Sequence, residues 1–275
     1  MLRFIFFSLF IHLAIGALLP LLLISMQEIG ASYFRFVSLL CAVMMLAALF
    51  AEPFSTLEPA LAAQVSPASG KLALALMGAE ILLLAAGSFG LKKWGKSYLY
   101  FAFGLGLIIV VWVSHLYPVA PHSTASANWL RALSFVGSAL LLGCALCAMV
   151  TGHWYLVNRR LSIQPLRIAT LLFLGAMLLR VAFVVALIAI TALSAGTANS
   201  AGARSMLTLS SEGMIFWARF IIGLVGPLVF GWMIYETVKL RSTQSATGIL
   251  YATLVCVFVG EAFSKFLWFF TGIPV

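Results

Sequence analysis

The chain reads as a succession of apolar stretches long enough to cross hydrocarbon, and no other feature constrains its fold so strongly. A bilayer core of about 30 Å needs roughly twenty helical residues per crossing. Runs of that kind occupy 4–25, 33–50, 71–91, 97–117, 129–152, 168–194, 214–236 and 247–271. Hydrocarbon offers the backbone no hydrogen-bond partners, so each run is expected to be a helix, which satisfies its own. Of 275 residues 64% are hydrophobic and 8% charged, and Asp is absent. That is too little charge to cover a soluble domain. The expectation is an all-α, polytopic membrane helix bundle of about eight transmembrane helices, a single integral membrane domain over residues 1–275. The stretch after Met1-Leu2-Arg3 lacks a convincing small-x-small cleavage site and is read as the first span, not as a signal peptide.

A net charge of +9 would point to nucleic acid in a soluble protein; here its distribution points to the membrane. Arg35, the group Lys92, Lys93 and Lys96, the group Arg159, Arg160 and Arg167, and the pair Lys239 and Arg241 all fall on connections of one face. The positive-inside rule makes that face cytoplasmic and places both termini on the outer, periplasmic side of a bacterial inner membrane. The opposite connections are rich in Pro, Ser, Thr, Ala and Gly. The basic connections suit phospholipid head groups, and no nucleic-acid partner is expected.

Charges inside the spans are then the informative residues, because each is expensive in hydrocarbon unless it meets a partner, water or a ligand. Glu261 and Lys265 lie four apart in the last span, the favourable order for a helical ion pair. Glu80 sits near the centre of the third span and Arg180 near the middle of the sixth, and a buried Glu80–Arg180 charge pair is the simplest reading of both. His12, His115, Arg219, Glu261 and Lys265 all come toward the outer half, with Arg131 and His122 at its rim. Taken together they suggest an outer pocket for quinone binding or proton transfer, although each has a purely structural reading as well.

Several chemistries are not indicated. Cys144 and Cys147 form a CxxC inside an apolar helix with no second pair, so they read as small packing residues and no metal site is expected. No hydrolase triad or phosphate loop occurs. Ionisable groups flanked by aromatic rings suit a quinone head group. Glu261 or His115 would take the proton as a quinol is oxidised, and Arg219 or Lys265 would steady the developing negative charge.

Gly260-Glu261, followed by Lys265 and aromatic residues, is similar to the Gly-Glu-then-basic pattern in late spans of the membrane-anchor subunits of dimethyl sulfoxide reductase and polysulfide reductase complexes, the NrfD-like family. The local likeness covers about ten residues, with Lys265 where arginine is expected; elsewhere it is one of topology. The resemblance implies a haem-free, quinone-reactive subunit of a respiratory complex, working with an iron–sulfur or cytochrome redox subunit. Three alternatives stay open: a haem b cytochrome with His12 and His115 as axial ligands, a proton or small-molecule transporter using Glu80, Arg180, Glu261 and Lys265, and a non-redox structural anchor.

Overall fold

A computed structural model describes residues 2–54, 66–117, 127–158, 161–193, 207–208 and 210–275. Those residues are helical with no strand, and eight of the helices are long and apolar enough to cross a membrane: Leu2–Leu23, Ala31–Phe50, Pro67–Phe89, Ser97–Leu116, Asn128–Val157, Gln164–Ile190, Gly213–Lys239 and Thr243–Phe269. The chain is an integral membrane protein. Eight crossings return the chain to its starting side, here termed the near side.

The spans form two rings of four. The second span packs on the first and third, and the fourth closes the ring against the third and first. The sixth packs on the fifth and seventh, and the eighth closes the second ring against the seventh and fifth. Contacts of the fifth span with the first and fourth, and of the eighth with the first, join the rings. The first and fifth spans are therefore central, with 78% and 72% of their apolar windows buried, against 33–44% for the other six.

Their closeness depends on glycine. A β-carbon on Gly16 would stand 1.7 Å from the carbonyl oxygen of Ala139, and one on Gly143 would stand 2.0 Å from the carbonyl carbon of Gly16. Backbones can approach so closely only where both sides are small. The first span also breaks there, into Leu2–Gly16 and Leu18–Leu23. Pro20 has no N–H for the Gly16 carbonyl, and its ring crowds that carbonyl, so the helix reorganises one turn upstream. Far-side anchoring is polar: the Lys96 ammonium donates to the Ile24 carbonyl and lies 4.7 Å from the centre of the Phe34 ring. Partial burial lowers its pKa.

The seventh span is irregular. Ser211–Ala218 is α-helical, Arg219–Val225 is a π-helical turn, and Gly226–Lys239 resumes the α-helix. Pro227 cannot bond the Gly223 carbonyl, and the wider turn before it accommodates the gap, with the Gly226 N–H reaching Ile221.

Candidate functional site

The second ring holds a buried charge network on four spans. Arg180, from the sixth, meets Glu261, from the eighth, as a two-pronged fork: Nε to Oε1 at 2.9 Å and Nη2 to Oε2 at 2.8 Å. This geometry matches a planar guanidinium to a carboxylate. Arg180 Nη1 donates to the Ser134 carbonyl at 3.2 Å and the Ser134 hydroxyl at 3.0 Å, and Nη2 also reaches Ser264 at 3.3 Å. Ser138 donates to Glu261 Oε2 and accepts from Lys265 Nζ at 3.2 Å. The Ser264 hydroxyl donates in turn to the Val275 carbonyl. Arg219 brings Nη2 to 3.6 Å from Glu261 Oε1. The Arg180, Arg219, Glu261 and Lys265 side chains are all 2% exposed or less.

Local sequence explains the convergence. Ser134 and Ser138 are one helical turn apart on the fifth span and so share a face. Glu261, Ser264 and Lys265 do the same on the eighth. Gly223 and Gly260 touch through their backbones, a β-carbon on Gly223 falling 2.4 Å from Gly260 Cα, which draws the seventh span close enough for Arg219 to reach Glu261.

The pairing of Glu80 with Arg180 expected from sequence is not formed. Arg180 belongs to the second ring and is held by Glu261, whereas Glu80, in the third span, belongs to the first. Both Glu80 carboxylate oxygens are buried with no hydrogen-bond partner among the described residues. Of the four residues named for a transport path, Arg180, Glu261 and Lys265 therefore share one network and Glu80 stands apart from it.

The five outer-half residues singled out in the sequence separate into two groups. Arg219, Glu261 and Lys265 join the network. His12 is wholly buried between the rings, edge-on to Phe135 with centroids 5.1 Å apart, and both its ring nitrogens lack a hydrogen-bond partner among the described residues. Lys265 Nζ lies over the same ring, 3.9 Å from its centre. His115 is exposed on the fourth span, its Nδ1 3.4 Å from the Ser114 hydroxyl. A haem held by His12 and His115 needs both imidazoles facing one void, and one enclosed ring with one outward-facing ring do not fit that arrangement. Arg131 is buried, donating to the Tyr117 carbonyl and Asn128 at 3.2 Å each. His122 lies outside the described residues. Cys144 and Cys147 are buried free thiols.

Beside the network a hollow of about 350 Å³ opens between the fifth and sixth spans, with Leu133, Val136, Gly137, Leu179, Arg180 and Phe183 among its walls. Leu133 is 50% and Leu179 68% exposed, so its mouth faces lipid. Arg180 is the sole charged residue in the lining, which is otherwise apolar. The volume falls within the range of small-molecule sites.

The sequence reading overlooked the three serines, which supply most of the acceptors that fix the cations. Their signal was present: hydroxyls one turn from one another, or one turn from Glu261, on helices that otherwise bury apolar groups. Comparison with family models and with curated proteins finds no match.

Proposed function

We propose that this chain is the membrane-integral, quinone-interacting subunit of a respiratory electron-transfer complex in a bacterial inner membrane. The observation that carries the reading is the lipid-open apolar hollow against Arg180, whose guanidinium is locked in place by Glu261. A quinone ring would enter from lipid and leave its isoprenoid tail there. The fixed positive charge behind the wall favours an electron-rich or partly reduced ring. Lys265, Ser138 and Glu261 form a hydrogen-bonded chain that ends on the carboxylate holding Arg180, with its exchangeable protons on Lys265 and Ser138. Electrons would pass to or from an iron–sulfur or cytochrome subunit docked on the bundle, and the likeness of Gly260-Glu261 and Lys265 to the reductase anchors supports that partner. Positive-inside charge bias supports termini on the periplasmic side.

A second reading, a structural anchor without redox function, is favoured by the completeness of Arg180's hydrogen bonding, which leaves no donor free on that residue. One experiment separates them. A photoreactive short-chain quinone, illuminated with the full-length protein in lipid nanodiscs, should label peptides of the fifth and sixth spans. Gly137→Leu fills the hollow from a position whose nearest neighbour to a new β-carbon is Arg180 at 3.8 Å, and it should cut labelling by about tenfold, the effect of losing about 1.4 kcal/mol of binding. Labelling spread evenly over all spans, or unchanged by Gly137→Leu, favours the anchor.

A further inference from the structure

Arg219 differs from the other buried cations, Arg131, Arg180 and Lys265, each of which makes hydrogen bonds. Its side chain is 1% exposed, and Nε, Nη1 and Nη2 all lack a hydrogen-bond partner among the described residues. A guanidinium carries five N–H donors, and burying any of them unmet is costly. The acceptor it approaches is Glu261 Oε1 at 3.6 Å, beyond hydrogen-bond range. Glu261 has little left to give. Its Oε1 already accepts from Arg180 Nε, and its Oε2 accepts from Arg180 Nη2 and Ser138. Of roughly four lone-pair positions on a carboxylate, one remains.

The backbone holds Arg219 in this position. A π turn begins at Arg219 itself, and four residues later Gly223 is pressed against Gly260. Interruptions of this kind inside α-helices are frequent at functional sites. The surrounding side-chain charge is also uneven, since Arg180, Arg219 and Lys265 converge on one carboxylate, Glu261. Among the described residues, what is missing around Arg219 is a compact acceptor carrying negative charge.

We propose that Arg219 is an anion-binding group, taking one compact anion against its guanidinium inside the second ring. Two sources supply that chemistry. One is the ionised hydroxyl of a quinol or hydroxyquinone arriving from lipid, a source that rests on the quinone reading above. The other is a small inorganic anion, such as chloride, arriving from water.

The test uses the full-length protein in nanodiscs, with an alkyl hydroxynaphthoquinone that is ionised at neutral pH, its uncharged methyl ether, and chloride against gluconate. The ionised compound should bind wild type about tenfold more tightly than the ether. Arg219→Gln should bring the ratio of the two affinities to about one. If wild type binds neither compound, the quinone reading fails and the chloride arm alone decides for Arg219: chloride should raise the melting temperature of wild type and not that of Arg219→Gln. Wild type that shows neither preference overturns the proposal, as does either preference surviving in Arg219→Gln. Should that variant not fold, Arg219→Lys, which keeps the charge but loses the planar fork, replaces it; the preference should then fall by about threefold or more, and an unchanged preference overturns the proposal.

Discussion

At the scale of single residues, Glu261 is the group on which the second ring depends, because it is the carboxylate shared by Arg180 and Arg219 and linked through Ser138 to Lys265. Removing one member of a buried ion pair leaves an uncompensated charge and typically costs about 3–5 kcal/mol. Glu261→Leu should show a loss of that size in detergent-melting or denaturant measurements. Adding Arg219→Met to it should recover part of the loss, because one fewer buried cation then lacks a counter-charge. A double variant less stable than Glu261→Leu alone would contradict this account of the network. The importance of Glu261 and Lys265 was legible from their placement in an apolar run. Their partners were not, because depth along a helix can be read from sequence whereas the direction a side chain faces depends on which helices are neighbours. Arg180 and Glu80 show the consequence: similar depths, different rings.

At the scale of elements, eight spans were readable from hydropathy alone, and the discrepancies in their extent lie at their ends. The fifth helix runs Ala127–Val157 where 129–152 is apolar, and the last begins at Thr243 where the apolar run begins at 247. Helical hydrogen bonding continues past the hydrocarbon boundary, so apolarity underestimates helix length. The seventh span carries a π turn starting at Arg219, an irregularity that apolarity alone does not reveal. Close packing of the seventh span on the eighth gives a sharp prediction. In Gly260→Val the new β-carbon would meet Gly223 Cα at 2.3 Å, and overpacking of this kind costs about 1–3 kcal/mol or more. Its melting temperature should fall clearly, whereas Gly104→Val, where a β-carbon meets nothing within 4 Å, should melt close to wild type. Equal effects at the two positions would show that the Gly223–Gly260 contact does not hold the spans together.

At the scale of the whole molecule, two four-helix rings share a centre made by the first and fifth spans, and the polar groups divide between them. The second ring gathers Arg180, Arg219, Glu261 and Lys265 with their serines, and the first encloses Glu80. His12 and Phe135 lie where the rings meet. Such a division follows from lateral packing, which periodicity does not encode when every helix is apolar on most of its faces. The hollow between the fifth and sixth spans has the same origin: Gly137 and Ala176 leave space that bulkier residues at those positions would fill. The most direct test is an electron cryo-microscopy map of the full-length protein in nanodiscs saturated with a natural long-chain quinone. Ring density between Leu133 and Phe183, backed by Arg180 and with the tail running out past Leu179 into lipid, is the result this account predicts. A ring bound elsewhere, with only acyl-chain density in that hollow, would contradict it.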